Sequence, residues 1–309
     1  MSAGGGTKAI VAALAANLGI AVTKFAAFAL TASSSMLAEG IHSLADSGNQ
    51  VLLLVGGKRS KRGATPEHPF GFGRERYVYG FIVSIVLFSI GGLFALYEAY
   101  HKWHDPHGID AWRWVPIVVL LAAIGMESYS FRTAIHESNE VRGDRSWVQF
   151  VRTAKAPELP VVLLEDLAAL IGLVFALFGV SMTLATGNGR WDAAGTAMIG
   201  LLLVSVAFVL AVEMKSLLLG EAGTVENVRA IEAALLGEGV DSVIHMKTLH
   251  LGPEELLVAA KIEVAATDSA SDVALAIDAA ERRVRAAVPI AQVIYLEPDI
   301  RRPADTPQP

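Results

Sequence analysis

The chain has 309 residues, 53% of them hydrophobic, with a mean hydropathy of +0.47, which is too apolar for an ordinary soluble domain. Its net charge of −6 is mild and gives no reason to expect nucleic acid as a partner. Cysteine is absent, so disulfides, thiolate zinc sites and cysteine catalysis are excluded. A transition-metal site would have to use His, Asp, Glu or backbone oxygen, leaving Zn, Mn, Fe, Co and Ni open.

Six apolar stretches are each about as long as the roughly 20 residues that span a bilayer. The first, about residues 7–30, follows a start, MSAGGGTKAI, without an A-x-A-like cleavage site, and reads as a span rather than a removable signal. Asn17 and Lys24 interrupt it seven residues apart, on one face. Lys24 either snorkels to the interface or pairs with a buried carboxylate; both readings stand at this point.

The second stretch, about 36–55 within SSSMLAEGIHSLADSGNQVLLLVGG, carries Glu39, His42, Asp46 and Asn49 at spacings of three, four and three. All four therefore project from one helical face. A carboxylate at the bilayer centre costs about 2.5–3.5 kcal/mol on insertion scales, so it normally faces a bundle interior. His42 and Asp46 form an i, i+4 pair that could hold one metal ion. The bland alternative is a polar stripe that only joins helices. The loop KRSKRGATPEHPFGFGRERY follows, basic and broken by Pro and Gly.

The third stretch, about 77–103, has Ser84, Ser89, Gly91 and Gly92 for close helix approach. Tyr97, Tyr100, Trp103, Trp112 and Trp114 read as an interfacial aromatic belt around His101, His104 and His107. The fourth, about 114–135, contains Glu127. A polar connection long enough for a surface helix leads to the fifth, about 159–186, which holds the adjacent acids Glu165 and Asp166. The sixth covers about 191–219. The Lys- and Arg-rich connections lie between spans two and three and between four and five, so the positive-inside rule makes them, and both termini, cytoplasmic.

From about residue 221 the chain reads as a soluble α+β unit of order αββαβ, ferredoxin- or metallochaperone-like, with both helices on one side of a three-stranded sheet. Ser271 or Asp272 is the expected cap of its second helix. Residues 301–309 read as a disordered tail. The expected division is a membrane domain at 1–220, a cytoplasmic dimerisation domain at 221–300, and the tail.

Two polar helices, one with His42 and Asp46 and one with Glu165 and Asp166, could close a four-coordinate site of the kind zinc prefers. SSSMLAEGIHSLADSGNQ, HPFGFGRERY and VVLLEDLAALIGL, followed by the αββαβ unit, resemble the cation diffusion facilitator family over nearly the whole chain. The likeness is greatest to the branch containing the ninth human zinc transporter. The resemblance implies a homodimeric, six-span integral membrane exporter of divalent metal, driven by proton exchange, with zinc as substrate and manganese, iron or cobalt as alternatives. It needs no organic cofactor. In a bacterial-type cell it would sit in the inner membrane. It maps the transport site to His42, Asp46 and Asp166. Val162 stands where the family places a fourth ligand, and Glu165 is the replacement, about 100° round the helix from Asp166. Either the helix is distorted there, or only one of the two acids binds metal at a time. In the family's other metal positions this chain keeps His68, His245 and His250 but has Phe72, Ala260 and Tyr295, so the soluble domain is expected to dimerise without a strong metal site. No H-E-x-x-H or G-x-S-x-G motif supports an enzyme. A non-transporting, metal-responsive scaffold is the remaining alternative.

Overall fold

A computed structural model describes residues 4–31, 34–106 and 113–300. The apolar part is a bundle of long helices: α1 (Gly4–Thr31), α2 (Ser34–Arg59), α3 (Glu75–Val86), a π-helical turn (Leu87–Leu93), α4 (Phe94–His104), α5 (Trp114–Arg142), the short α6 (Trp147–Thr153), α7 (Glu158–Thr186) and α8 (Arg190–Leu219). Among the described residues, five helical stretches are long and apolar enough to cross a membrane: Thr7–Ala26, Glu75–His104, Trp114–Arg142, Glu158–Thr186 and Arg190–Leu219. The chain is an integral membrane protein by this measure. The 26-residue α2 is outside the five, because the polar face that makes it interesting also makes it less apolar.

α1 lies along α2 and α5, and α5 lies along α7. The contact face of α5 shows why the chain folds this way. Pro116, Leu120, Ala123, Glu127, Ser130, Ala134 and Glu137 recur at alternating steps of four and three, and all are buried. That is the period of a packed helix seam. It carries α5 to Arg142, past the expected end near residue 135, because Glu137 and Ser138 are still packed there. The polar connection beyond does contain a helix, α6, started by a capping box in which Ser146 and Gln149 satisfy each other's backbone N–H.

The chain from Ser216 onward forms a second compact unit, and the loop segment Ser60–Arg74 belongs to it. That membership was not apparent from the sequence. A side-chain carbon at Gly73 would stand 2.8 Å from the Leu251 carbonyl, so only glycine lets the loop lie on the strand. The unit contains α9 (Val225–Leu235), β1 (Ser242–Gly252), β2 (Glu255–Glu263), α10 (Ala270–Ala287) and β3 (Ala291–Asp299). β1 pairs antiparallel with β2, and β2 parallel with β3. Burial in β2 alternates strictly: Leu256, Val258, Ala260 and Ile262 pack with Ile231, Leu235, Ala280 and Val284 of the helices.

The cap of α10 is Ser269 rather than Ser271 or Asp272, because Ser269 keeps an extended backbone while its hydroxyl accepts from the Asp272 N–H at 3.3 Å. The same hydroxyl donates to Asp272 at 2.7 Å, and the Ser269 N–H donates at 3.1 Å. These bonds hold the Asp272 carboxyl below the usual aspartate range. A depressed carboxyl contributes stability that is full above the unfolded value, about 3.9, and is lost as pH falls through the folded one. Ser269→Ala is therefore expected to lower the melting temperature of this unit at neutral pH, with a gap from wild type that narrows as the pH falls through the Asp272 folded-state pKa, below the unfolded value of about 3.9. A gap independent of pH would rule out the carboxylate's part in the cap.

Candidate metal site in the helical bundle

α2 and α7 place the four expected residues among buried polar partners. His42 Nε2 stands 3.6 Å from Asp46 Oδ2, so the i, i+4 pair is aligned as its spacing requires. Asp46 is buried and His42 half-buried. On α7, Asp166 is fully buried and accepts a 2.7 Å hydrogen bond at Oδ2 from the Ser130 hydroxyl of α5. Its Oδ1 is buried with no hydrogen-bond partner.

Glu165 faces a different neighbour. Asn49 Nδ2 donates to its Oε1 at 2.8 Å and Gln50 Nε2 to its Oε2 at 2.7 Å. α7 runs through both acids as an uninterrupted α-helix, so adjacent residues turn to different partners, α2 for Glu165 and α5 for Asp166. Val162 packs in the apolar core. Among the described residues, no three His, Asp or Glu side chains converge closely enough to hold one ion. Asp46, Glu127, Glu165 and Asp166 nonetheless stand near enough for their charges to act on one another. Asn49 Oδ1 and Gln50 Oε1 are, like Asp166 Oδ1, buried acceptors without a donor. Buried oxygens left without partners are uncommon and call for a cation or water.

A cavity of about 40 Å³ adjoins this cluster, lined by Asn17, Lys24, His42, Asp46 and Glu127 with apolar residues of α7 and α8. That volume suits about one or two water-sized occupants. On α7 its lining begins at Ala168, just beyond Asp166, and runs to Ala176. The cavity therefore lies on the side of Asp166 toward the C-terminal end of α7. The same end carries the Lys102–Asp192 ion pair, at 2.9 Å. The opposite end is tied by Arg76 to Glu158, by Lys8 to Glu137 at 3.6 Å and by Arg152 to Glu213 at 3.8 Å.

The third helical run touches the site through its π-helical turn. A methyl on Gly91 would stand 3.3 Å from His42 Cε1, and one on Gly92 would stand 2.6 Å from Val204 Cγ2 and 3.1 Å from the Val204 nitrogen. Such turns often occur at functional sites.

The remaining expected candidates are placed elsewhere. His68 is exposed and stacks on Phe72 at 4.6 Å, with the Arg62 guanidinium 4.3 Å from the same ring. His101 and His104 are exposed and stack on Tyr97 and Tyr100. His104 Nδ1 is 2.9 Å from the Tyr100 carbonyl. His245 projects from the open face of the sheet beside Lys247, Tyr295 and Glu297, which line a shallow pocket of about 210 Å³. His250 is buried, its Nδ1 3.1 Å from the Gly252 carbonyl. On the same open face Glu297 and Asp299 hold the Lys261 ammonium above the usual lysine range. The side chain of Glu39, together with His107, Trp112 and residues 301–309, lies outside the described residues.

Ser130, Gln50 and Ser43 join the cluster without having been singled out in the sequence. Ser130 could have been found, since it stands three residues after Glu127 on the same seam. Gln50 could not, because it lies one position off the Glu39–Asn49 face.

Residues 10–219 match the family model for the cation efflux transmembrane domain. The chain belongs to the cation efflux, or cation diffusion facilitator, family. It is 31% identical over 244 residues to the mitochondrial proton-coupled zinc antiporter SLC30A9 of Xenopus laevis, covering 78% of this chain and 43% of that protein. It is 27% identical over 262 residues to metal tolerance protein C4 of Arabidopsis thaliana, covering 83% of this chain and 56% of that one. It is 23% identical over 229 residues to the magnetosome protein MamM of Magnetospirillum gryphiswaldense, covering 72% and 66%. The chain thus spans less than half the length of the vertebrate relative.

The two glycines of the π-helical turn separate site geometry from packing. Gly92→Ala is expected to lower the melting temperature, because its methyl meets helix backbone. Gly91→Ala is expected to keep the melting temperature and to displace the His42 ring, read as a shift of its Cε1–H NMR signal. An unmoved His42 signal would show that the turn does not set the ring's position.

Proposed function

We propose that the protein exports a divalent metal cation, zinc, from the cytoplasm in exchange for protons. The observation that carries this is the cluster of buried acids and one imidazole, on α2 and α7, inside a cation efflux domain. In this reading α2 is the sixth membrane-crossing helix, its polar face turned to the bundle. His42, Asp46 and Asp166 bind the ion, and Glu165 exchanges its amide partners for it during part of the cycle. Neutral imidazole and ionised acids are the binding forms, so metal arrival releases protons. Protons compete for the same groups on the far side, because neither a protonated imidazole nor a protonated carboxyl binds the ion. The likeness to the Xenopus laevis proton-coupled zinc antiporter supports both ion and counter-ion.

The cavity lies on the side away from the basic connections. With those connections cytoplasmic by the positive-inside rule, this arrangement suits an outward-facing stage of alternating access. Both termini are then cytoplasmic, a bacterial-type inner membrane is the fitting location, and the C-terminal unit is the candidate dimer contact of a homodimer. The oxygen-rich donor set also suits harder ions, so manganese, iron or cobalt as cargo is the second reading.

Asp46→Ala and Asp166→Ala are each expected to abolish metal uptake by proteoliposomes carrying the full chain. His42→Ala is expected to retain uptake, with weaker proton coupling and a broader choice among zinc, manganese, iron and cobalt. Flux that survives the Asp46→Ala/Asp166→Ala double variant would overturn the site, and a wild type inert toward all four ions would overturn transport.

A further inference from the structure

We propose that Lys24 is a tethered counter-cation of the cavity, which balances its carboxylates during the part of the cycle when no metal is bound. The proposal rests on the transport reading above and adds a residue that does not ligate the ion. Lys24 is 3% exposed, and among the described residues it is the one lysine or arginine that is buried. Its Nζ donates to the Ser43 hydroxyl at 3.0 Å, on the residue next to His42. It lines the same cavity as His42, Asp46 and Glu127, and its charge acts on Glu127. The snorkelling alternative is therefore answered: a snorkelling lysine carries its ammonium to the interface, whereas this one ends on a buried hydroxyl beside the acids.

An ammonium has three donors and no lone pair, so Lys24 cannot ligate metal. It can only supply charge. Keeping it buried is costly unless acids answer it, and the acids are costly unless a cation answers them. A bound divalent ion meets that need for the acids directly. Once the ion leaves, protons take its place on part of the acidic cluster, the bundle must still reorient, and Lys24 is the fixed cation that answers the charge they leave. Ser43 is one partner of the ammonium there, and from it the Lys24 charge reaches Glu127. The role is specific to one leg of the cycle, the return without metal.

That specificity makes the idea testable in proteoliposomes carrying the full chain. Net zinc uptake requires the return without metal, whereas exchange of external radiolabelled zinc for internal unlabelled zinc does not. Lys24→Gln is expected to lower net uptake by about tenfold or more while exchange stays within about twofold of wild type. Lys24→Arg, which keeps the charge, is expected to restore net uptake. So is the double variant Lys24→Gln/Glu127→Gln, which removes one charge of each sign and serves as the decisive arm where the single variant does not fold. Net uptake and exchange falling in proportion, net uptake unchanged in Lys24→Gln, or a double variant as slow as the single one would each overturn the proposal. Failure of the transport reading itself looks different, because wild type would then show neither net uptake nor exchange.

Discussion

A carboxylate inside an apolar helix bundle must be answered by something, and most of this protein's helical domain can be understood from what answers each one. Glu165 is answered by two amides, Asp166 by a hydroxyl at one oxygen, and Asp46 by the imidazole one helical turn away. Toward the helix ends, Glu137, Glu158 and Glu213 are answered by Lys8, Arg76 and Arg152. The two groups differ in kind. The end pairs join permanent charges and hold helices together. The central acids are met mostly by neutral donors, which stabilise a carboxylate less than a full charge does. A cation arriving there has something to gain that a cation arriving at the ends does not.

The adjacency of Glu165 and Asp166 shows how a regular helix makes use of that difference. Successive residues are turned by about 100°, so neighbouring acids cannot both face one small ion without distortion. α7 is not distorted, and its two acids are held by different helices. Each Glu165 oxygen has an amide donor, while Asp166 keeps one oxygen unpartnered among the described residues. Asp166 is therefore the α7 group already disposed toward a cation, and Glu165 could join only by giving up amide bonds. The Asn49 and Gln50 carbonyl oxygens likewise lack a donor among the described residues.

Much of this was legible in the residues. The three-four-three spacing on α2 identified the polar face, and the alternation in residues 255–263 gave β2 its buried side. What could not be read depends on contacts between distant segments. Gln50 looked like a residue off the face, and only the approach of α7 makes it a partner of Glu165. The loop glycine Gly73 carries no periodic signal, yet its lack of a side chain lets residues 60–74 join the C-terminal unit. The cap of α10 lies two or three residues before the expected Ser271 or Asp272, because Ser269, Ser271 and Asp272 all have capping side chains. Backbone geometry chooses among them, and sequence alone does not carry it.

In the proposed cycle, the cavity and the end pairs lie on opposite sides of the acidic cluster. The cavity meets the acidic cluster from the side of Asp166 that points toward the Lys102–Asp192 pair. In that cycle, reaching the same acids from the other end separates α3 from α7 at Arg76–Glu158 and α1 from α5 at Lys8–Glu137, beside the more exposed Arg152–Glu213 pair. Lys8 is largely exposed, so that pair is screened by water and weak. Arg76 and Glu158 are both largely buried, and breaking such a pair leaves each charge without its answer. The Arg76–Glu158 contact is thus the costlier of the two, and an opening at that end has to supply new partners for both side chains. Water entering the gap can do this, since a solvated guanidinium and carboxylate lose little by parting. In the proposed cycle the end that opens would therefore become wet as it opens, which is also what a hydrated cation needs to reach the acids.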